Sequence, residues 1–524
     1  MKTPGRALAP RQQSYLVLAL LCAALALLAA LRPLAVPDEG RYGDIARWML
    51  QSGDWLTPRL NGIPFFHKPA LLYWLQAAAM ALLGVHAWVV RLVPAAHAAL
   101  MLLALYLAAR QWLDETSARR AVWMLGTSLG FLIGGQYVNH DMLVAAWISV
   151  AILCFALAFM AGDRPHADLA RAGFVACALG VLSKGLIGLA LPGLVLLVWL
   201  LYTRQWRKIT HLPWVSGLVL FALVALPWFV LAQQRHPGML GYMFGVQHFA
   251  RYTGTTFNNA QPWWFYLAAL CALLFPWVLF ALYQGWATLR GRAASTPVSA
   301  RPPAPTSAVQ ALCWIWLVAI VVFFSVPRSK LIGYVLPVLV PLALLAALGW
   351  QRALAQRAWA PKLFAALCAV ALLLAGVLNQ VAARYTQRHA SQDAALWLAC
   401  HASAADTVYA LGDYPYDLPF YAQLTRPLVV LQDWPAVRRS AGDNWRRELF
   451  EGADFDAQAG QVLQTPQVLD SARQQPGQWV IAPKGSASPQ GWLLAYEGRA
   501  WTLWQSAAKR PVTAEPIGLR GCQN

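Results

Sequence analysis

The sequence predicts a polytopic α-helical membrane protein that carries a soluble α/β domain at its C-terminal end. Of the 524 residues, 59% are hydrophobic and only 12% are charged, whereas soluble domains usually carry about 25% charged residues. So few charges cannot cover a solvated surface of ordinary size, and much of the surface must therefore face lipid. The 26 tryptophans agree with this prediction, since tryptophan is enriched where a membrane meets water.

Long apolar runs divide the first 383 residues. A helix needs about 20 mainly apolar residues to cross the hydrocarbon of a bilayer. Eleven runs meet or approach this length, and the open division of the short, glycine-interrupted ones allows up to thirteen. The runs lie at 14–35, 87–112, 118–138, 140–161, 169–183, 186–203, 213–233, 262–283, 309–326, 331–350 and 361–381. We therefore predict a membrane domain over residues 1–383 with about 11–13 transmembrane helices.

The distribution of charge predicts the orientation of these helices. With the N-terminus in the cytoplasm and residues 36–86 outside, most Lys and Arg fall in one set of short loops, as the positive-inside rule requires. This arrangement needs the apolar but short segment 70–83 to form an interfacial helix within the first outside loop. The net charge of +19 therefore reflects topology and contact with membrane lipids, and it does not indicate nucleic-acid binding.

The composition changes near residue 384, where charges become regular and apolar segments shorten to strand length. Such segments occur at 408–411, 427–431, 479–482 and 493–496, with helical patterns between them at 391–399 and 417–423. This alternation predicts a small α/β domain over residues 384–524. An odd number of crossings precedes the domain, so we expect it to lie outside.

Two cysteines flank this predicted domain. Cys400 and Cys522 could form a disulfide in an oxidising compartment, or they could be two unrelated thiols. The other six cysteines sit within apolar runs and are predicted to be small core residues.

Carboxylates near the outer membrane face are the first candidates for chemistry. Asp38 and Glu39 are adjacent at the end of an apolar helix, which is costly unless they are exposed, paired or functional. Asp141 is predicted at the outer end of another span, where it could cap the helix or face the same cavity as Asp38. Two carboxylates in one cavity could orient or deprotonate an acceptor and hold sugar hydroxyl groups.

Other charged residues of the first loop have simpler explanations. We expect Asp44 and Arg47 to form a solvated helical face, and Asp54 to be a turn residue or a helix N-cap.

Cations form the second group of candidates on the predicted outer side. They could bind anionic lipid headgroups, or they could bind the phosphate of a polyprenyl phosphate and stabilise the charge that grows on it during transfer. These cations are Lys68, Lys184, Arg251, Arg328 and Lys330.

The first-loop sequence closely resembles that of the ArnT-type transferases, which belong to the protein-mannosyltransferase-related GT-C glycosyltransferases. The resemblance covers roughly residues 10–350. Its first-loop motifs are Asp38-Glu39-Gly40-Arg41-Tyr42, Ser52-Gly53-Asp54-Trp55, Pro58-Arg59-Leu60-Asn61-Gly62 and His67-Lys68-Pro69-Ala70-Leu71-Leu72-Tyr73-Trp74. Weaker similar motifs are Ser183-Lys184-Gly185, His248 to Tyr252, Arg328-Ser329-Lys330-Leu331 and Tyr334-Val335-Leu336-Pro337.

The resemblance implies a GT-C fold and an inverting glycosyl transfer. The sugar, 4-amino-4-deoxy-L-arabinose, would move from undecaprenyl phosphate to lipid A at the periplasmic face of the bacterial inner membrane. The isoprenoid chain would lie in a groove between lipid-facing helices. It further implies that Asp38 is the main catalytic carboxylate, with Tyr42 beside it and Asp141 as the second acid.

The resemblance also implies which residues bind the carrier phosphate. These would be Lys68, Arg251 and Tyr334. Additional candidates for the site are Glu39, His67, Lys184, His248, Arg328 and Lys330.

Two positions depart from the family pattern. Gly40 replaces the commoner alanine, which we expect to be a minor change. His67 replaces the glutamate that usually precedes the Lys-Pro pair. A carboxylate there could pair with the amino group of aminoarabinose, and a neutral imidazole could do so less well. A different polyprenyl-phosphate-linked sugar, or another glycan or protein acceptor, is therefore the main alternative.

Two other classes of function are compatible with the composition. A transporter or flippase for a lipid-linked glycan would place charges through the bilayer depth, whereas the charges of interest here cluster on one side. A structural or assembly protein would leave the first-loop motif unexplained. No metal-ligand spacing stands out, so the sequence predicts no required cofactor, with a divalent cation at the acidic loop as the alternative.

Overall fold

The computed structural model describes residues 9–250, 259–290, 306–440, 442, 444 and 446–508, except the side chains of 248–250 and 306. The chain forms two compact units. The first comprises Met1–Ala29, Pro94–Phe229 and Asn259–Leu378, and the second comprises Ala30–Val93, Val230–Asn258 and Asn379–Asn524. The second unit thus joins the first-loop region to the C-terminal part of the chain.

Long apolar helices dominate the structure. Among the described residues, seven helices are long and apolar enough to cross a membrane, or eight if one pair of helices bent by 117° counts as a single span. The seven are Pro10–Leu28, Ala87–Trp112, His140–Met160, Trp214–Arg235, Ser307–Ser325, Ile332–Leu354 and Ala360–His389, and the bent pair is Phe265–Leu273 with Val278–Leu289. The chain is therefore a multi-pass membrane protein.

All eleven predicted runs fold as helices. Not all of these helices are long and apolar enough to cross a membrane. Residues 118–138 divide into Glu115–Gly126 and Leu129–Gly134, because Ser128 leaves the helical conformation between them. Ala167–Lys184 carries three charged residues, and Ile187–Tyr202 is only 16 residues long. By length and composition, fewer of the described helices qualify as membrane spans than the eleven to thirteen that the sequence predicts.

The first unit has a continuous apolar core. Its largest fully buried side chains include Trp277, Trp316 and Trp350. Some buried polar groups in this core have hydrogen-bond partners, which are favoured where water is excluded. The Trp277 indole donates to the Thr127 hydroxyl at 2.9 Å, and the Gln136 amide donates to the Leu25 carbonyl at 2.7 Å. The remaining elements of this unit are the 3-10 helices Trp206–His211 and Ile332–Val338.

The second unit contains a six-stranded sheet. Four strands run parallel, and the last two pair antiparallel. In spatial order they are Leu463–Gln464, Val429–Leu431, Thr407–Leu411, Gln478–Pro483, Trp501–Ser506 and Trp492–Glu497. The four predicted strands are confirmed, and the strands Leu463–Gln464 and Trp501–Ser506 were missed. The helices around the sheet are Gln392–His401, Leu418–Tyr421, Trp434–Ser440, Arg447–Ala453 and Val468–Ala472, with the 3-10 helix Ala459–Val462.

The first-loop region of the second unit has its own regular structure. It contains the helices Asp38–Ser52 and Leu71–Leu83 and the two-stranded hairpin Arg59–Leu60 with Ile63–Pro64. The hairpin turn, Asn61-Gly62, has φ values of 53° and 77°, which Asn-Gly adopts readily. The predicted helix at 70–83 is confirmed, and its 13 residues are too few to cross a bilayer.

The first-loop region packs on the C-terminal part through buried hydrogen bonds. The Asn61 amide donates to the Leu428 carbonyl at 2.9 Å and accepts from the Leu428 amide at 2.7 Å. The Arg47 guanidinium donates to the Leu424 carbonyl at 2.8 Å. These two hydrogen bonds between the Asn61 side chain and the Leu428 backbone fix the hairpin against the strand Val429–Leu431, which begins at the next residue.

Asp44 and Arg47 correct one expectation. They do not form a solvated face, because both are buried and paired with each other at 2.7 Å. Burial raises the pKa of Asp44, and Arg47 partly offsets that rise. Asp54 is a turn residue as expected, since its carboxylate accepts from the backbone amides of Leu56 and Thr57.

One cysteine prediction can be followed in the structure. Cys400 is disulfide-bonded, whereas Cys522 lies outside the described residues. The six cysteines of the apolar runs are free, among them the buried Cys177, Cys313 and Cys368.

Asp417 should make the stability of the second unit depend on pH. It is fully buried and accepts hydrogen bonds from Ser391, and burial raises its pKa from 3.8 to about 6. Its contribution to stability is therefore complete below pH ~4 and is lost as pH rises to about 6. The loss amounts to roughly 3 kcal/mol.

We expect Asp417→Asn to remove this dependence, because an amide oxygen can accept from Ser391 without ionising. The measurement is the apparent melting temperature of the purified protein in detergent between pH 4 and 7. The wild type should lose stability relative to the variant over that interval. Parallel pH profiles for the two proteins would contradict the assignment.

Candidate active site

Asp38 is the first residue of the helix Asp38–Ser52, directly after Pro37. A carboxylate at this position is stabilised by the positive end of the helix dipole. Its side chain is 25% exposed, unlike Glu39 next to it, which is fully buried. Asp38 is therefore the carboxylate of this pair that a ligand can reach.

Arg41 holds Asp38 in place. One turn along the helix, its buried guanidinium binds the Asp38 carboxylate with one nitrogen, and the same nitrogen donates to the Tyr42 hydroxyl at 2.9 Å. Its other terminal nitrogen binds Glu448, which comes from the helix Arg447–Ala453. The guanidinium also lies 4.5 Å from the centre of the Tyr42 ring. Two carboxylates from distant parts of the sequence are thus fixed by one rigid, planar cation.

Glu39 is a structural residue, which corrects its selection as an additional site candidate. Its carboxylate is enclosed by Arg32 and Arg91 and accepts from the Ala35 amide at 2.7 Å. Burial alone would raise the pKa of Glu39, but the two guanidinium groups, Arg91 foremost, outweigh it and lower the pKa to about 2. Because every oxygen is occupied in this way, Glu39 stabilises the start of the helix.

His67, the departure from the family pattern, lies among aromatic and acidic side chains. Its ring stacks on Phe65 with centres 4.8 Å apart. Its Nε2 lies 2.7 Å from the Tyr242 hydroxyl. The two ring nitrogens are each 3.9 Å from a carboxylate oxygen, Nδ1 from Glu448 and Nε2 from Glu451. The C-terminal part therefore supplies two carboxylates near the histidine, and each is paired with an arginine, Glu448 with Arg41 and Glu451 with Arg447.

Lys68 and Glu448 influence each other electrostatically. Burial raises the pKa of the Glu448 carboxyl, the Asp38 charge raises it further, and Arg41 and Lys68 lower it. Asp38, Tyr42, His67 and Lys68 are thus brought together around Arg41 and Glu448 in the second unit.

A separate group forms in the first unit. Lys184, at the end of the helix Ala167–Lys184, pairs with Asp141 at the start of the helix His140–Met160. The Lys184 ammonium also lies 4.4 Å from the centre of the Tyr334 ring. Asp141, Lys184 and Tyr334 are therefore neighbours, although they are far apart in sequence. The expectation that Asp141 faces the same cavity as Asp38 stays a prediction.

The remaining predicted cations have different environments. Lys330 is buried, and its ammonium donates to the carbonyls of Pro327 and Gln261 at 2.7 and 3.0 Å. Arg328 is exposed, and its carbonyl accepts from the Gln261 amide. Lys330 thus fastens two chain segments to each other. Arg251 and the side chain of His248 lie outside the described residues.

Three residues of the cluster around Arg41 were missed in the sequence. Glu448 and Glu451 come from the C-terminal part, and Tyr242 comes from the π-helix Gly241–Ala250. The spacing of the two glutamates, three residues apart, places them on one helical face, but this signal is common on solvated helices. In the described part of the chain, no three His, Cys, Asp or Glu side chains are grouped so that they could hold a metal ion.

The sequence is similar to those of several known proteins. Residues 16–243 match the family model of dolichyl-phosphate-mannose-protein mannosyltransferases. A Pseudomonas paraeruginosa protein named undecaprenyl phosphate-alpha-4-amino-4-deoxy-L-arabinose arabinosyl transferase is 34% identical over 316 residues, 59% of this chain and 54% of the relative. A transferase of the same name, numbered 2, from Pseudomonas fluorescens is 33% identical over 331 residues, 61% of this chain and 57% of the relative. The matched region thus spans about half the length of these curated relatives.

Comparison of the structure defines the fold. ArnT from Cupriavidus metallidurans bound to undecaprenyl phosphate superimposes with a TM-score of 0.74 at 24% identity, covering 97% of this chain and all of that chain. Its apo form gives the same TM-score at 23% identity, covering 95% and 98% of the two chains. The protein is therefore a polytopic membrane protein with the same fold as these two ArnT structures.

Gly40 corrects the expectation that its replacement of alanine is minor. A Cβ atom at Gly40 would lie 2.8 Å from the Cβ of Asp417 and 2.9 Å from its backbone. Real Cβ atoms do not approach so closely, so the helix carrying Asp38 can lie against Asp417 only because residue 40 has no side chain.

We predict that Gly40→Ala destabilises the protein by about 1–3 kcal/mol through overpacking, although alanine is the better helix former by about 1 kcal/mol. The measurement is thermal unfolding in detergent. A matched control is Gly376→Ala, in a helix where a new Cβ meets nothing within 4 Å, which should leave stability unchanged or raised. A Gly40→Ala variant as stable as the control would show that this contact relaxes freely.

Proposed function

We propose that this protein is a glycosyltransferase that moves 4-amino-4-deoxy-L-arabinose from undecaprenyl phosphate to lipid A. The proposal places it in the bacterial inner membrane, with the cluster around Arg41 and the C-terminal domain at the periplasmic face. The observation that carries the proposal is the partly exposed Asp38 carboxylate, held by Arg41 at the start of the first-loop helix. The names of the curated relatives support the choice of donor.

The reaction is an inverting displacement. An oxygen of the acceptor attacks the anomeric carbon of the sugar, and the bond from that carbon to the carrier phosphate breaks on the opposite side. The bonding electrons leave with undecaprenyl phosphate, which gains negative charge. A lipid A phosphate is already anionic near neutral pH, so it attacks without losing a proton.

The role of Asp38 follows from this acceptor. With an anionic phosphate as the nucleophile, Asp38 orients the acceptor or the sugar and does not need to remove a proton. With a hydroxyl acceptor it would serve as a general base. Arg41 restrains the Asp38 carboxylate to one orientation, which lowers the entropy lost when the reactants are aligned. Tyr42 supports that arrangement from beside the guanidinium.

The charge on the departing phosphate requires cations. We assign Lys68, Arg251 and Tyr334 to this phosphate and Asp141 to the role of the second acid. Lysine acts as a point charge and arginine as a fork. Because charge grows on the phosphate only as the bond breaks, these groups stabilise the transition state more than the bound donor.

We propose that the transfer requires no metal cofactor, since an anionic nucleophile and a cation-bound leaving group need no additional Lewis acid. Purified protein treated with a strong chelator and then freed of it should transfer at the untreated rate. A loss of activity that Mg²⁺, Mn²⁺ or Zn²⁺ restores would contradict this prediction and indicate a divalent ion at the acidic loop.

Asp38→Asn tests the proposal directly. In a host that lacks its own transferase, the wild type should add aminoarabinose to lipid A, detected as a mass gain by mass spectrometry. Asp38→Asn should reduce this transfer at least ~100-fold, the scale on which misaligned reactants slow a reaction, while the purified variant elutes and melts like the wild type. A fully active variant would refute the assignment.

The control and the alternative acceptors complete this experiment. Asp470→Asn removes an exposed carboxylate of the second unit, to which Asp38 also belongs. This variant should leave the lipid A profile unchanged. If the wild type leaves lipid A unmodified while its lipid-linked donor is present, the acceptor is another glycan or a protein. The alternative sugar or acceptor then becomes the leading assignment.

A further inference from the structure

A cleft of about 420 Å³ lies in the second unit, at one end of its six-stranded sheet. This volume falls in the range of about 300–1,000 Å³ that is typical of small-molecule sites. None of its lining residues has a role in the displacement described above. The charged and aromatic side chains of the lining include His389, Asp413, Tyr414, Tyr416, Arg446 and Trp501.

The topology of the sheet favours a ligand site at this end. In open α/β sheets, ligands bind outside the carboxyl ends of two adjacent strands whose outgoing connections run in opposite directions. The adjacent parallel strands Thr407–Leu411 and Gln478–Pro483 meet this condition. From the first, the chain continues to Val429–Leu431 on one side, and from the second it continues to the antiparallel strands on the other. Asp413 lies just beyond the first strand, and Trp501 pairs with the last residue of the second.

The cleft also lies beside the candidate catalytic carboxylate. Pro37 contributes to its wall, together with Val36. Asp38 is the next residue, so its Cα atom is only ~3.8 Å from that of Pro37. A ligand in the cleft would therefore be close to the start of the helix that presents Asp38.

Tyr416 lies between the cleft and the cluster around Arg41. Burial raises the pKa of the Tyr416 hydroxyl, Glu448 raises it further, and Arg41 lowers it. From the cleft, Asp413 also raises this pKa, and Arg446 lowers it. One hydroxyl group is thus within electrostatic reach of both sets of charges, which makes the two sites neighbours.

Arg446 and Asp413 give the cleft a strong donor and a strong acceptor. The half-buried Arg446 guanidinium donates to the Gly412 carbonyl at 3.3 Å, and Asp413 accepts from the Tyr414 amide at 2.9 Å. In the part of the chain that the structure describes, neither side chain forms an ion pair. An arginine has five N–H donors and a carboxylate about four acceptor positions. Both groups therefore keep hydrogen-bonding capacity for a ligand.

The other ionisable groups of the lining leave this balance unchanged. Asp417 is fully buried, and its carboxylate accepts from the amide and the hydroxyl of Ser391. His389 is exposed, and its Nδ1 donates to the Tyr385 carbonyl at 2.8 Å. Its Nε2 is then an acceptor in the neutral ring and a donor in the protonated ring. Donors and acceptors thus occur together, a mixture that fits a ligand rich in hydroxyl groups.

We propose that this cleft binds the phosphorylated sugar head group of the acceptor, an inference that rests on the proposed function. Arg446 binds the phosphate, because a planar guanidinium fork matches two phosphate oxygens. Asp413 accepts hydrogen bonds from sugar hydroxyl groups. Tyr416 and Trp501 each combine an apolar ring with one polar group, which matches a sugar ring with C–H faces and hydroxyl edges.

The course of the reaction explains why the cleft serves the acceptor and not the donor. In an inverting displacement, the nucleophile approaches the anomeric carbon from the side opposite the departing phosphate. The two phosphates therefore need different cations. Among the described residues that line the cleft, none is assigned to the departing phosphate. Arg446 thus supplies a separate cation for the acceptor.

Arg446→Gln tests the inference through the kinetic constants of the two substrates. The purified protein is assayed with lipid A and with undecaprenyl-phosphate-linked aminoarabinose, and each is varied in turn. Loss of a hydrogen bond between charged groups should raise the KM for lipid A at least ~10-fold. The KM for the donor and kcat should stay within twofold. Arg446→Lys keeps the charge without the fork and should recover part of the loss.

Glucosamine 1-phosphate and glucosamine separate the phosphate contact from the sugar contact, since these soluble competitors of lipid A differ only in the phosphate. The wild type should be inhibited more strongly by the phosphorylated sugar, and Arg446→Gln should be inhibited about equally by both. Asp413→Asn should weaken both competitors, keep the preference for the phosphate and raise the KM for lipid A by a smaller factor. It decides the matter if Arg446→Gln does not fold.

A matched control removes the same charge elsewhere. Arg439 is an exposed residue of the helix Trp434–Ser440 and does not line the cleft. Arg439→Gln should therefore keep the wild-type KM for both substrates. An equal rise in the KM for lipid A in this variant would indicate a general effect of surface charge and overturn the assignment of Arg446.

The outcomes separate the two proposals. If the wild type modifies lipid A and Arg446→Gln keeps the acceptor KM within twofold, this inference fails and the proposed function stands. A rise confined to the donor KM would also overturn it. If the wild type leaves lipid A unmodified, the proposed function fails. Binding of glucosamine 1-phosphate, followed by saturation-transfer NMR and lost in Arg446→Gln, would then still support a phosphosugar site, and equal binding by both proteins would refute it.

Discussion

The buried guanidinium of Arg41 is the interaction on which the second unit depends. It binds Asp38, Tyr42 and Glu448 at once, and a buried charge of this kind is stable only with such partners. Removing the buried Glu448 carboxylate would leave part of the cation unpaired in a medium of low dielectric constant. The same contact that orients the candidate catalytic residue therefore also fastens the C-terminal part to the first-loop helix.

Close backbone packing makes this ion pair possible. Gly40 allows the first-loop helix to lie against Asp417, and Asn61 fastens the adjoining hairpin to Leu428. On the other side of the helix start, Arg32 and Arg91 enclose Glu39. Asp38 is thus partly exposed to solvent, whereas Glu39 and Arg41 in the same helix are buried and paired with charged groups of the protein. Such pre-organisation is what a transfer reaction needs from a residue that must be aligned before bond breaking.

The sequence predicted the class of fold well because composition and apolar run length depend only on local residues. All eleven runs became helices and the four predicted strands were found. Contacts between distant segments could not be predicted in this way. Asp44 and Arg47 resemble a solvated face locally, yet the C-terminal part covers them. Glu448 approaches Arg41 across 407 residues of chain, and no local pattern indicates such a pairing.

A motif can therefore identify a reaction without identifying the sugar. The first-loop motif places Asp38, Arg41 and Tyr42 in one helical turn, so its chemistry follows from local structure. The groups that distinguish one sugar from another need only touch its periphery, and any neighbouring segment can supply them. Here the helix Arg447–Ala453 brings two carboxylates to His67. The surroundings of His67 therefore depend on a helix from a distant part of the chain, which no motif within the first loop could reveal.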